Sequence, residues 1–196
     1  MKNKIHYVLI LDSSGSMGDL KKEVIASFNE QVEMIVKLAE KEPKALMRFT
    51  LCVFNDVVDF KFVNQSIDNV RKLTEEDYIP DSTTALYDAI GASFMKINEL
   101  VNSKDQVFFA IFTDGLENAS KNYTADDISF KISESEKKGW QIQFFCRYEE
   151  RIHYKTKLNL KDKYVVGLTM DAEGLTVMEN RIMFCMRMAV NKTKKP

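Results

Sequence analysis

The segment VLILDSSGSMGDL, residues 8–20, joins an apolar run to a polar loop and contains the signal that decides the fold. Four apolar residues end at Asp12, and three serines and a glycine follow before Met17. A buried strand that ends in this way is compatible with a polar turn, half of a metal site, a phosphate-binding loop or a nucleophile loop. The rest of the sequence has to distinguish between these interpretations.

Length and composition bound the class of protein. The chain has 196 residues, of which 45% are hydrophobic and 29% are charged, and its formal net charge is −1. These values predict one soluble domain over residues 1–196, with a folded core at 5–190 and a frayed tail at 191–196. The near-neutral charge provides no field that would attract nucleic acid or an anionic membrane, so we expect neither as a partner.

The cysteines and the apolar runs bear on the cellular compartment. Three widely spaced cysteines, at positions 52, 146 and 185, offer neither a disulfide framework nor metal-ligand spacing. The apolar run at 5–11 is too short for a secretory leader or a membrane span. We therefore expect a cytoplasmic protein with reduced cysteines.

Six apolar runs predict strands, and they alternate with stretches in which apolar residues repeat every three or four positions. The predicted strands are Ile5–Leu11, Arg48–Phe54, Val57–Val63, Val107–Thr113, Ile142–Cys146 and Tyr164–Leu168. The predicted helices are Ile25–Ala39, Leu86–Val101, Thr124–Gly139 with an Asp127 capping partner, Glu149–Leu158, and Leu175–Ala189 with an Asp171 cap. Most strand runs are continuously apolar, which is typical of parallel strands covered on both faces.

The alternation of strands and helices predicts an α/β fold, namely a Rossmann-like, doubly wound, mainly parallel sheet with helices on both faces. The run Val57–Val63 mixes polar and apolar residues and follows a short turn, so we expect one antiparallel edge strand there. In doubly wound sheets, ligands bind beyond the carboxyl ends of the strands. Asp12 and Asp114 each follow a predicted strand, and they share one rim if those strands are neighbours.

Two carboxylates and two hydroxyls form the candidate site, and they come from Asp12, Ser14, Ser16 and Asp114. These hard oxygen donors suit Mg²⁺, Ca²⁺ or Mn²⁺ rather than zinc. We expect Gly15 to let the backbone curl between the two serines. A further polar loop ends at Thr84, where a helix begins, and this hydroxyl is equally well explained as a helix N-cap.

Three motifs, in this order, resemble those of von Willebrand factor type A domains. They are Asp12-Ser13-Ser14-Gly15-Ser16, then Thr84, then Phe112-Thr113-Asp114-Gly115. They match the D-x-S-x-S, T and T-D-G pattern of that family's metal-ion-dependent adhesion site, and the resemblance covers residues 5–146. It implies that Ser14, Ser16 and Thr84 are hydroxyl ligands of the ion. It also implies that Asp12 and Asp114 hold the ion through water or by hydrogen-bonding those hydroxyls.

In this family a carboxylate from a partner protein commonly fills the ion's remaining position. The resemblance therefore implies a protein-binding module rather than an enzyme, with Mg²⁺ as the ion and Ca²⁺ or Mn²⁺ as alternatives. The stretch Thr113–Ser120 is similar to stand-alone bacterial and phage members, including tellurite-resistance-associated proteins, and implies an intracellular stress or assembly system. We predict that Met17, Thr83 and Glu117 line the partner-binding rim.

Two alternatives remain open at this point. Many bacterial members carry two glycines before the ligand threonine, whereas this chain has Ser82-Thr83, so Thr83 is an alternative ligand.

The competing function is a metal-dependent phosphoryl hydrolase with Asp12 as nucleophile. Phosphatases with an acid after the first strand usually need a second Asp two residues later, where this chain has Ser14. The chain also lacks the P-loop motif, so in an ATPase machine it would be a regulatory subunit.

Overall fold

The computed structural model describes residues 4–193, in which six strands alternate with five α-helices. The strands are β1 (Lys4–Asp12), β2 (Leu46–Phe54), β3 (Val58–Ser66), β4 (Gln106–Phe112), β5 (Gln141–Arg147) and β6 (Val165–Leu168). The helices are α1 (Lys21–Lys41), α2 (Leu86–Leu100), α3 (Ala125–Lys137), α4 (Arg151–Lys157) and α5 (Ala172–Thr193). Each predicted strand and helix is present, with its ends shifted by a few residues.

The strands form one sheet in the order β3-β2-β1-β4-β5-β6. Neighbouring strands are parallel except for β2 and β3, which pair antiparallel and place β3 at an edge. The predicted doubly wound, mainly parallel sheet with one antiparallel edge strand is therefore confirmed. Strands β1 and β4 are neighbours, with Leu11 opposite Phe112, so the loops that carry Asp12 and Asp114 leave the same edge of the sheet.

Both faces of the sheet are covered by helices, as predicted. Along β1, Tyr7, Leu9 and Leu11 point into a core shared with α1 and α5. Val8 and Ile10 point into a second core shared with α2, α3 and α4. Because both faces are buried, β1 reads as a continuous apolar run rather than an alternating one.

Hydrogen bonds confirm two predicted helix starts. At α3, Thr124 and Asp127 form a capping box in which each side chain accepts from the other's backbone N–H. At α5, Asp171 Oδ1 accepts from the Gly174 N–H at 2.9 Å. Helix α5 continues to Thr193, so residues 191–193 of the predicted tail are helical in the structure. Residues 194–196 lie outside the described residues.

The three cysteines are reduced and lie in the interior, as the sequence predicts. Cys52, Cys146 and Cys185 are buried free thiols. Burial raises the pKa of the Cys52 thiol to about 12, so this group stays protonated and unreactive near neutral pH. Between residues 4 and 193, none of the helices combines the length and apolar character needed to cross a membrane.

Candidate metal centre

Three predicted ligands form a chain of polar contacts beyond the carboxyl ends of β1 and β4. The Ser16 hydroxyl donates to Asp114 Oδ1 at 2.5 Å, and the Ser14 and Ser16 hydroxyl oxygens lie 3.3 Å apart. Because Asp114 takes the Ser16 hydrogen, the lone pairs of the Ser16 oxygen are available to a cation. Ser16 is exposed, whereas Ser14 and Asp114 are each only 2% exposed.

Thr84 reaches the same space from a distant loop. A Cβ built on Gly115 would lie 3.6 Å from Ser16 Oγ and 3.8 Å from Thr84 Oγ1, so the two hydroxyls border one small region. The backbone N–H of Thr84 donates to Asn118 Oδ1, and its carbonyl accepts from the Asn118 N–H. Ala85 occupies the N-cap position of α2, so the N-cap interpretation of Thr84 is wrong. The alternative ligand, Thr83, is exposed.

Asp12 is buried and organises the first loop. Its Oδ1 accepts from the Ser14 N–H at 2.7 Å, and its Oδ2 accepts from the Thr113 hydroxyl at 2.5 Å. The Tyr78 hydroxyl donates to the Asp12 carbonyl at 2.5 Å. Burial raises the pKa of Asp12 to about 6, although the hydrogen bonds from Thr113 and Ser14 lower it. The ionised form of a buried carboxylate is stabilised by a nearby cation. Because Asp12 is buried, it is not accessible from solvent as a nucleophile.

The two polar loops of the site touch at Gly15 and Ser82. The Gly15 N–H donates to the Ser82 carbonyl at 3.1 Å, and a Cβ on Gly15 would lie 3.4 Å from that oxygen. The φ of Gly15 is not positive and a Cβ would make an ordinary contact, so neither the expected backbone curl nor a steric limit requires glycine at this position. Ser82 has φ of 66°, in the left-handed region that glycine adopts more readily than serine.

Glu117 fastens the loop after β4 to the start of α2. Its Oε1 accepts from the N–H groups of Ala119 and Ser120, at 2.9 and 2.7 Å. Its Oε2 accepts from the Tyr87 N–H at 2.9 Å, in the first turn of α2. An acidic group suits this position because the N-terminus of a helix carries partial positive charge.

Asp88 completes this connection from the helix side. Its carboxylate accepts from three consecutive backbone N–H groups, those of Lys121, Asn122 and Tyr123. Thr84 lies just before α2, and Asp114 directly precedes the loop that Glu117 and Asp88 attach to this helix. These contacts therefore hold Thr84 and Asp114 at a fixed distance from each other. Nothing in the sequence signals this role of Asp88, because no local pattern connects the helical aspartate to a loop more than 30 residues away.

Replacing Glu117 by glutamine is expected to lower the free energy of unfolding by about 1–2 kcal/mol, because a charged acceptor of several backbone N–H groups becomes neutral. Urea unfolding followed by circular dichroism measures the effect. Glu99→Gln, at an exposed position on α2, is the matched control and should change stability much less. Equal losses in the two variants would show that the Glu117 contacts contribute nothing specific.

The predicted partner-binding rim is only partly accessible. Met17 is 0% exposed and packs into the core with α1, because the 3₁₀ turn Gly15–Leu20 directs it inward. The prediction that Met17 contacts a partner is therefore wrong. Thr83 is exposed, while Glu117 is half-buried with its carboxylate engaged by backbone N–H groups. Their contact with a partner stays a prediction.

Arg147, at the end of β5, was not foreseen as part of the site. Its Nε donates to the Asp114 carbonyl at 2.5 Å, and its Nη2 donates to Asp114 Oδ2 at 3.0 Å. The sequence signal for this contact is weak: Arg147 directly follows the predicted strand Ile142–Cys146, and in the structure it is the last residue of β5. A guanidinium therefore stands directly beside a carboxylate of the candidate metal centre.

The donor set fits a hard divalent cation. All the converging side-chain donors are oxygens, and residues 4–193 contain no cluster of three or more His, Cys, Asp or Glu side chains suited to a metal. Hydroxyls would therefore have to supply part of the coordination. Adjacent ligands of an octahedral Mg²⁺ lie about 3.0 Å apart, so the 3.3 Å between Ser14 and Ser16 Oγ needs only a small adjustment.

Searches with the sequence find no matching family model and no matching curated protein. Solved structures do match. Proximal thread matrix protein 1 from the mussel byssus is similar with a TM-score of 0.63 at 16% identity, over 96% of this chain and 46% of that protein. Another structure of it, at 15% identity and a TM-score of 0.60 over 94% of this chain and 46% of that protein, is described as having a zinc-occupied MIDAS motif.

Two further structures extend the comparison. The pilus adhesin SpaC from Lactobacillus rhamnosus GG matches with a TM-score of 0.71 at 10% identity, over 97% of this chain and 30% of that one. The manganese-loaded Plasmodium vivax TRAP protein matches with a TM-score of 0.61 at 13% identity, over 90% of this chain and 72% of that one. The chain thus spans less than half the length of the mussel protein and of SpaC. Identities this low establish the fold alone, and the chain has a von Willebrand factor type A-like fold.

Proposed function

We propose that this chain is a divalent-cation-dependent protein-binding module whose ion docks an acidic side chain of a partner protein. The observation that carries the proposal is the convergence of oxygen donors from three distant segments on one rim. The donors are Asp12, Ser14, Ser16, Thr84 and Asp114. We propose Mg²⁺ as the ion, with Ca²⁺ or Mn²⁺ able to replace it.

Each group has a distinct task in this proposal. Ser14, Ser16 and Thr84 hold the ion through neutral hydroxyl oxygens, while Asp12 and Asp114 keep those hydroxyls and their loops in place. Because neutral ligands leave much of the cation's charge uncompensated, the ion retains affinity for one more carboxylate. The exposed positions of Ser16 and Thr83 indicate the side from which that carboxylate approaches.

The similar structures support the general type of function that we propose. One is described with zinc in its MIDAS motif, one is loaded with manganese, and one is named an adhesin. They favour a role in adhesion or interaction over an enzymatic one. From the resemblance of the sequence to stand-alone bacterial and phage members, we further propose that the module acts in the cytoplasm, in a stress or assembly system.

Replacing Ser16 by alanine is expected to weaken cation binding by at least about 10-fold, because an exposed hydroxyl donor is removed while the buried core is untouched. Electron paramagnetic resonance of Mn²⁺ measures free ion directly during a titration of the protein. Because the change also removes the Ser16 hydrogen bond to the buried Asp114 carboxylate, the variant should unfold at a somewhat lower urea concentration in the absence of cations, and the titration is made where it is fully folded.

Ser103→Ala is the matched control, since Ser103 is exposed in the turn after α2, at the opposite end of the sheet. This control should bind Mn²⁺ like the wild type. The proposal fails if the wild-type protein does not bind Mn²⁺, or if Ser16→Ala and Ser103→Ala bind it equally well.

A further inference from the structure

Arg147 makes a specific, two-point contact with Asp114 that the proposed cation site does not require. Its Nε donates to the carbonyl oxygen and its Nη2 to Oδ2, while Asp114 Oδ1 accepts from Ser16. Both oxygens of this carboxylate are therefore engaged. The Asp114 side chain is 0% exposed and that of Arg147 is 40% exposed, so the guanidinium connects a buried charge to the surface.

The guanidinium still has donors to offer. It carries five N–H groups in a planar fork, and the contacts with Asp114 use two of them. The Arg147 side chain is 40% exposed on the rim that Ser16 also occupies, so part of it is accessible from solvent there. A carboxylate that approaches the site from solvent would meet a cationic donor of the kind that binds carboxylates most strongly.

Arg147 also changes the charge that a metal ion would experience. The positive charge of Arg147 offsets the negative charge of Asp114. A cation beside Ser16 would therefore be attracted less strongly than it would be by the Asp12 and Asp114 carboxylates without Arg147. Glu150 acts in the opposite sense. Burial raises the pKa of Glu150 and the nearby Arg147 lowers it, and its Oε2 is buried without a hydrogen bond to residues 4–193.

We propose that Arg147 is a specificity-determining residue that makes the docking site depend on an acidic partner. Its charge weakens binding of the ion alone and strengthens binding of the ion together with a carboxylate, to which it also donates hydrogen bonds. Cation and carboxylate binding are therefore positively coupled, and each raises the affinity of the site for the other. This inference rests on the proposed function, because it presupposes that the site binds a divalent cation.

The test uses Mn²⁺ as the ion and acetate as the carboxylate probe. Mn²⁺ is titrated against the wild type and Arg147→Gln, by electron paramagnetic resonance, in acetate and in chloride at equal ionic strength. We expect Arg147→Gln to bind Mn²⁺ about 3–10-fold more tightly than the wild type in chloride. We expect acetate to raise the Mn²⁺ affinity of the wild type and to raise that of the variant clearly less, because only the ion then attracts the acetate.

Two further variants make the result specific. Arg147→Lys keeps the charge but loses the planar fork, so it should bind Mn²⁺ alone like the wild type and show a smaller acetate effect. Glu150→Gln removes a nearby negative charge, so it should weaken Mn²⁺ binding, opposite to Arg147→Gln. Urea unfolding establishes that each variant is folded under the conditions of the titration.

The outcomes separate this inference from the proposed function. If the wild type binds Mn²⁺ but Arg147→Gln does not bind it more tightly, or keeps the full acetate effect, then the role of Arg147 is overturned and the proposed function stands. If the wild type binds no Mn²⁺, both are overturned together.

Discussion

Asp12→Asn is expected to stabilise the cation-free protein near neutral pH and, at the same time, to abolish its stabilisation by Mg²⁺. The two effects have opposite signs because one carboxylate causes both. Without a cation, ionised Asp12 is a buried charge held only by hydrogen bonds from Ser14 and Thr113. With a cation nearby, the same charge becomes favourable.

The pH dependence of this effect follows from the direction of the pKa shift. Burial raises the pKa of Asp12 from its ordinary value of 3.8 to about 6 in the folded protein. The folded state therefore holds this proton more tightly than the unfolded state, and stability is lost as pH rises between these two values. Above them, the ionised group costs on the order of 2–3 kcal/mol, which an uncharged asparagine does not incur.

The local geometry tolerates the amide. Asparagine keeps an oxygen that can accept from the Ser14 N–H, in place of Asp12 Oδ1. The Thr113 hydroxyl lies 3.1 Å from the Gly115 carbonyl and can donate there instead, which leaves its oxygen to accept from the new amide. The variant should therefore gain stability rather than lose it through an unpaired group.

Urea unfolding measures both the effect of the charge and the effect of the cation on stability. The wild type and Asp12→Asn are compared with Mg²⁺ or with chelator, at about pH 5 and about pH 8. We expect the variant to exceed the wild type only in chelator and mainly at the higher pH. Asp126→Asn, at an exposed carboxylate on α3, is the control and should respond to Mg²⁺ like the wild type. Retention of the full Mg²⁺ effect in Asp12→Asn would remove Asp12 from the cation site.

The features that the sequence predicted well are local or repetitive. Because β1 is buried on both faces, its sequence is a continuous apolar run. The capping box of α3 involves residues only three positions apart. The loop after β1 is similar, because Asp12, Ser14 and Ser16 lie at alternate positions of one short turn. Such patterns depend on backbone geometry that a few neighbouring residues determine.

The features that the sequence did not predict depend on where side chains from distant segments point. Arg147 lies 33 residues from Asp114, and only the order of the sheet brings them together. Met17 looked like a surface neighbour of Ser16, but one step along a 3₁₀ turn rotates the side-chain direction by about 120°, and here it turns Met17 into the core. Thr84 resembled an N-cap because it lies just before α2. The backbone N–H groups at the start of that helix instead donate to Glu117 and Ser120, which belong to a loop distant in sequence.

A second large effect is expected at Gly174, in the first turn of α5. Gly174→Ala should lower the free energy of unfolding by about 3 kcal/mol or more, because the added methyl group has no room. A Cβ at this position would lie 1.9 Å from the Thr169 carbonyl oxygen and 2.9 Å from its carbon. The obstacle is backbone, so no side-chain rotation relieves the overlap.

The turn between β6 and α5 cannot easily move away from the new methyl group. Asp171 Oδ1 accepts from both the Gly174 N–H, at 2.9 Å, and the Thr169 hydroxyl, at 2.8 Å, which fixes the two residues against each other. Helix α5 in turn packs its buried side chains, Leu175 among them, into the core it shares with α1. Relieving the overlap would therefore require breaking the cap or lifting the start of the helix off the sheet.

The sign of the effect makes the prediction specific, because replacing glycine by alanine inside a helix ordinarily stabilises it by about 1 kcal/mol. Gly18→Ala is the matched control. Nothing lies within 4 Å of a Cβ at Gly18 and its φ is not positive, so this change should be neutral or slightly stabilising. Urea midpoints of the two variants measure the difference. If Gly174→Ala unfolds at the same urea concentration as Gly18→Ala, the close contact with Thr169 does not determine how α5 is joined to the sheet.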